Sequence, residues 1–119
     1  MTRGVNLDFS DFSKMNLKGV AFQQSIVRDS DFSGANLQGA SFFDATLTGS
    51  NFDDANLAQA NLEMAQLTRA TFKNTVVTEA YVSGATIFDG IKDIEGSDWS
   101  ETLYVSDLPL FSICTAPYF

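Results

Sequence analysis

At 119 residues and with 45 % hydrophobic content, the chain has the size and composition of one ordered domain with a single core. Its net charge of −8 and pI near 4.1 disfavour direct binding of nucleic acid or of an anionic membrane surface. With no histidine and one cysteine (Cys114), it lacks the commonest general base and the commonest transition-metal ligand, and no disulfide forms within the chain.

The N-terminal residues 1–4 form a short lead-in without the basic-then-apolar pattern of a signal segment, and no run approaches the roughly 18 apolar residues of a membrane span. The expectation from the residues is a cytosolic chain if this N-terminus is native, with no membrane insertion. From Val5 a period of five takes over. Its apolar centres are Leu7, Phe12, Leu17, Phe22, Val27, Phe32, Leu37, Phe42, Leu47, Phe52, Leu57, Leu62, Leu67, Phe72, Val77, Val82 and Ile87. Two residues before each centre lies Ala, Ser or Thr in 14 of the 17 units, the exceptions being Val5, Met15 and Val20. The residue just before the centre is often Asn or Asp, as at Asn6, Asp11, Asn16, Asp31, Asn36, Asn51, Asn56 and Asn61.

Neither regular structure has this period. On a helix, steps of five rotate the centres around the whole surface, and on a straight strand odd steps send them to opposite faces. A chain that turns a corner every five residues puts both the centre and the small residue inward. Four such sides close a square coil of 20 residues. Coils then stack with Phe12, Phe32, Phe52 and Phe72 in one column and Leu17, Leu37, Leu57 and Val77 in another. Triangular coils of 15 would mix Leu with Phe, so the square is favoured. Gly19, Gly34, Gly39, Gly49 and Gly84, each two after a centre, suit corners of positive φ.

Units such as "GANLQ", "DANLA" and "QANLE" resemble the pentapeptide-repeat family, A(D/N)LXX, over Val5 to Asp89. The resemblance implies an all-β fold, a right-handed quadrilateral β-helix (a pentapeptide-repeat solenoid) of about four coils with a short C-terminal cap. Within the family, "LQGASFFDATLTGSNF" and "GSDWSETLYVSDLPLFSIC" resemble thylakoid-lumenal members of cyanobacteria and chloroplasts, with Asp98, Trp99, Ser100, Leu103 and Cys114 in comparable places. Pro109 interrupts the cap helix those proteins imply, and there is no second Cys. The implied address is the thylakoid lumen.

After Ile87 the register slips by two, and Ile94, Trp99 and Tyr104 resume the five-step. Residues 90–104 are accordingly read as a bulged connector and last repeats, and 105–119 as a cap in which Leu108, Leu110, Phe111 and Ile113 cover the open core. At the other end, Val5, Met15 and Val20 are expected to plug the first coil from within; the alternative is an end-to-end dimer.

The acidic residues do not assemble chemistry. Asp53 and Asp54 diverge around a corner, and Asp29 and Asp31 hold at most an adventitious Ca²⁺. No catalytic, cofactor or metal site is expected, and the chain reads as a non-enzyme. Apolar residues at outward positions are more informative: Phe43, Met64 and Tyr81 on the fourth side, with Phe88 around the corner, form a candidate patch for an unidentified protein partner. The alternative is an acidic mimic of DNA acting on a DNA-binding protein such as a topoisomerase, since the repeats carry 10 acidic against 5 basic residues.

Overall fold

The computed structural model describes residues 5–105. Single-residue parallel bridges join Asn6 to Ile26, Asp11 to Asp31, Asn16 to Asn36 and Ala21 to Ser41, and each series continues at 20-residue steps through Asn61–Tyr81. Each turn of the chain therefore has four sides, centred in chain order on Leu7, Phe12, Leu17 and Phe22 and on the residues stacked above them. Successive turns are tied by backbone bonds, such as Leu37 N–H to Asn56 C=O at 2.7 Å and Gly39 N–H to Ala58 C=O at 2.9 Å. Two short strands stand out from this ladder, β1 (Tyr81–Ser83) and β2 (Leu103–Val105), paired in parallel with Tyr81 opposite Leu103.

Three local rules make the corner. The residue two after each centre has a left-handed φ at every position from Phe9 to Glu79, and only four of these residues are glycine. Eleven side-chain-bearing residues thus accept a conformation that L-residues avoid, held there by the ladder bonds on both sides. The second rule explains the Asn and Asp preference. In ten units the Asn or Asp before the centre accepts the N–H two residues on, as Asn51 Oδ1 does from Asp53 at 2.7 Å. Where Ile26 and Thr71 occupy that place, the orphaned N–H of Arg28 or Lys73 goes instead to Asp8 or Asp53 of the preceding turn. The third concerns the small slots. Hydroxyls there bond the carbonyl of a centre one turn back, Ser50 to Val27 at 2.7 Å and Thr75 to Phe52 at 2.6 Å. Among the described residues no buried side-chain polar atom lacks a partner.

The core explains the phenylalanine excess. Phe12, Phe32, Phe52 and Phe72 stack at 4.9–5.2 Å between ring centroids, and Phe22 stacks on Phe42 at 5.2 Å from the opposite side. The two columns meet edge-to-face across the interior at 5.6–5.9 Å, the geometry ring quadrupoles favour. Phe32, Phe52, Phe72, Leu37 and Leu57 are fully buried, whereas Phe12 and Leu17 of the first turn are only partly so.

The structure corrects four expectations. Ile87 is not a centre: it bridges to Gln66, stays exposed, and leaves Phe88 as the inward residue. The slip of two is really two single insertions, Ser83 before Phe88 and Lys92 before Ile94, after which Thr71 pairs Asp93 and Val76 pairs Asp98 at 22-residue steps. Gly84 follows the first insertion and has no positive φ. Finally, Val5 and Met15 are exposed, so of the three large slots only Val20 packs against the core. The cap residues Leu108, Leu110, Phe111 and Ile113, with Pro109 and Cys114, lie outside the described residues.

Candidate protein-docking face

Phe43, Met64 and Tyr81 all fall on the fourth side. Phe43 follows the buried centre Phe42 and is half-buried beside its own corner; its N–H reaches Ser41 Oγ at 3.5 Å. Met64 occupies a left-handed corner at φ 60° and is exposed. Tyr81 opens β1, its N–H bonded to Ala60 C=O and its C=O accepting from Leu62, which leaves its side chain on the outer surface at 39 % exposure. The fourth candidate, Phe88, is separated from them. As the shifted centre it packs edge-to-face on Trp99 at 5.7 Å. The inserted Ser83 is the cause: it advances the register by one and turns Phe88 inward in place of Ile87.

Ser83 also repairs the ladder it interrupts. The Met64 N–H, which by the regular pattern would bond a backbone carbonyl, donates to Ser83 Oγ at 3.2 Å, and Thr86 Oγ1 donates to Leu62 C=O at 2.8 Å. Thr86 is then the buried slot belonging to Phe88. Sequence reading misses this because Ala85 and Thr86 are both small and Ile87 and Phe88 both apolar, so either register satisfies the pattern.

Beside the face, at the corner leading into it, an open groove of about 660 Å³ is lined by Gly39, Gln59, Glu79, Tyr81, Glu101 and Leu103. No sequence pattern marks it, since its residues come from turns 20 or more positions apart. Two apolar recesses of about 280 and 380 Å³ lie around Phe88 and Trp99, where the described residues end.

The charges are unevenly distributed. The fourth side and its leading corner carry Asp44, Glu63, Glu79 and Glu101 and no Lys or Arg. All six described basic residues lie on the other sides. One of them, Arg28, makes a forked ion pair with Asp8 at 2.6 Å, which holds the Asp8 carboxyl below its ordinary value of 3.8. Asp11 and Asp98 are likewise lowered by bonds from Ser13 and Ser100. No group of three metal-ligating side chains occurs among the described residues, nor any helix long and apolar enough to cross a membrane.

Comparison with known proteins follows the same geometry. The pentapeptide-repeat pattern matches in eight copies, over residues 3–39, 15–53, 35–74 and 50–87. The chain belongs to the pentapeptide-repeat family. With that membership comes the fold, a right-handed quadrilateral β-helix. Among solved structures, it is similar to a pentapeptide-repeat protein from the Arabidopsis thaliana thylakoid lumen, with 38% identity and a TM-score of 0.78 over 95% of this chain and 73% of that one. It also shares the fold of QnrB1, a plasmid-mediated fluoroquinolone resistance protein, at 20% identity and a TM-score of 0.61, covering 82% of this chain and 57% of QnrB1. HetL, a pentapeptide-repeat protein involved in heterocyst differentiation regulation in the cyanobacterium Nostoc, aligns at 20% identity with a TM-score of 0.51, over 82% of this chain and 44% of HetL. No curated protein matches the chain. Pentapeptide-repeat proteins are generally structural or interaction modules that engage other proteins.

Proposed function

We propose that this pentapeptide-repeat protein is a non-enzymatic module that presents the fourth side of its column to a protein partner. The observation that carries the reading is the placement of Phe43, Met64 and Tyr81 on one face whose backbone is bonded to the turns above and below. Such a face is presented without an ordering cost when a partner binds. The column comprises about four coils over residues 5–89.

The test is capture from a soluble extract of the source cells. Wild type is compared with a Phe43→Asp, Tyr81→Asp double variant of equal melting temperature. A partner held by the wild type and lost by the variant is the expected result; equal capture by both would move the contact off this face. The protein is taken as a monomer, or as an end-to-end dimer through the first turn, where Val5, Phe9 and Met15 are exposed; sedimentation equilibrium separates the two. A location in the thylakoid lumen is proposed from the similarity to the Arabidopsis protein, and protease protection of the full-length protein in isolated thylakoids tests it.

The mimicry alternative has less support. The most acidic side is the second, with Asp11, Asp31, Asp53, Asp54, Asp93 and Glu95 against Lys14, Lys73 and Lys92, a net of −3. About four coils rise roughly 20 Å, a length over which duplex DNA carries about twelve phosphates. Inhibition of supercoiling at low protein concentration would favour mimicry regardless.

A further inference from the structure

The corner groove beside the fourth side has a chemistry of its own. Glu79 and Glu101 are corner residues of successive turns, tied by the Glu79 N–H to Ser100 C=O bond at 3.1 Å, so their carboxylates leave the backbone about one strand spacing apart. Gln59 Nε2 donates to Glu79 Oε1 at 3.0 Å and steadies that carboxylate. No cation pairs with either glutamate among the described residues. Stacked like charges repel, and a cation lodged against both would remove the repulsion. Tyr81 and Leu103, cross-strand partners in β1 and β2, supply the other wall, apolar and with an aromatic ring. At Gly39 an added Cβ would meet nothing within 4 Å, so the groove stays open toward that end.

We propose that this groove receives an arginine or lysine side chain of a peptide segment on the partner protein, with an adjacent apolar residue of that segment against Tyr81 and Leu103. The inference rests on the reading of the fourth side as a docking face and names the chemistry that face selects. Charge complementarity is the main argument: four acidic residues and no basic one lie on the face and its leading corner, while every described Lys and Arg lies elsewhere. Residues 106–119, which follow β2 in the sequence, contain no Lys or Arg that would compete for the groove. Tyrosine adds an attraction that a carboxylate alone lacks, since a guanidinium or ammonium binds an aromatic face. The volume of the groove lies within the range of small-ligand clefts and accommodates one long side chain with its neighbour.

The test is an amide-resolved NMR titration of the full chain with acetyl-Gly-Leu-Arg-Leu-Arg-Gly-amide, and with the same peptide carrying citrulline for arginine. Saturable shifts are expected at Glu79, Tyr81, Glu101 and Leu103 with the arginine peptide, weakening as salt rises. The citrulline peptide should bind roughly tenfold more weakly or not at all. A Glu79→Gln, Glu101→Gln variant should keep its melting temperature and lose roughly threefold to tenfold in affinity for the arginine peptide. Equal binding of the citrulline peptide, an unchanged affinity in the variant, or no saturation below about 10 mM would each overturn the proposal. So would equal shifts along Asp11, Asp31 and Asp53, which indicate general attraction to an acidic surface, or the same shifts with CaCl₂ alone. A cellular partner lost on Phe43→Asp but kept, with the same salt dependence, by the glutamine variant would sustain the docking face and overturn the cation groove.

Discussion

The regular column up to Val82 and the swollen turn after it contain the same kinds of residue, yet they tolerate disorder in the sequence differently. Below Val82 every side is five residues, every corner is left-handed, and the phenyl columns are buried from Phe22 to Phe72. Above it, Ser83 and Lys92 each add a residue, the bridges lengthen to 21 and then 22 positions, the centres Phe88 and Trp99 are only partly buried, and Ile94 at the next centre position is exposed. The contrast teaches that the period is enforced by the ladder bonds between turns. An added residue breaks such a bond, and it is accommodated where a side chain takes that bond over, as Ser83 Oγ does for Met64 N–H even within β1, which pairs with β2 above it.

Deletions test this most severely. Removing Asp53 shortens one side of the interior column and shifts every later centre, so cooperative unfolding should be lost altogether. Removing Ser83 instead restores the spacing from Val82 to Phe88, with Ala85 taking the left-handed corner at a cost of about 1 kcal/mol. A melting temperature lowered by only a few degrees is expected. Comparable losses from the two deletions would break the comparison.

Ala55→Phe comes next. Ala55 fills a slot at 2 % exposure between sealed turns, and overpacking there should cost about 3 kcal/mol or more, read as a lower denaturant midpoint. Ile94→Ala, at a position 54 % exposed, should cost well under about 1 kcal/mol on the same measurement. Ser83→Ala leaves the Met64 N–H unpaired and should destabilise by about 1 kcal/mol, with faster hydrogen exchange confined to Met64 and its neighbours.

Acid sharpens the picture of the outer surface. Asp8, Asp11 and Asp98 have folded values depressed below 3.8, so protonation is disfavoured in the folded state relative to the unfolded chain. Their contribution is fully present above the ordinary carboxylate value and is lost as pH falls through the lower folded values. Melting temperature should decline from pH 4 toward pH 2, and Asp8→Asn should flatten part of that decline by removing the Arg28 pair. The smallest effect is a gain. Asp54 adopts φ 60° on an exposed corner, and Asp54→Gly should stabilise by about 0.5 kcal/mol through relief of backbone strain.

How far the sequence can be read follows from the same physics. Centres, slots and the column of like residues were legible because each obeys a local rule repeated many times, and a core that excludes water leaves such a pattern little freedom. The preference for Asn or Asp was visible as a count, while its cause, the bond to the N–H two residues on, needed the backbone. Of the docking residues, Phe43, Met64 and Tyr81 share a side because the 20-residue turn carries them there. Phe88 lies around the corner on the first side, where the Ser83 insertion turns it inward in place of Ile87.

The sequence by itself determined the shape: a four-sided column with apolar centres inward, since coils of four five-residue sides bury every fifth residue and stack like on like. Only the tertiary structure decided where the insertions fall and which of Ile87 and Phe88 faces the core, because two adjacent apolar residues satisfy either register and hydrogen bonds to the turn below choose between them. It also decided which charges share a corner. Glu79 and Glu101 are 22 positions apart in the chain and one strand spacing apart in the fold, an adjacency the stacking of turns creates.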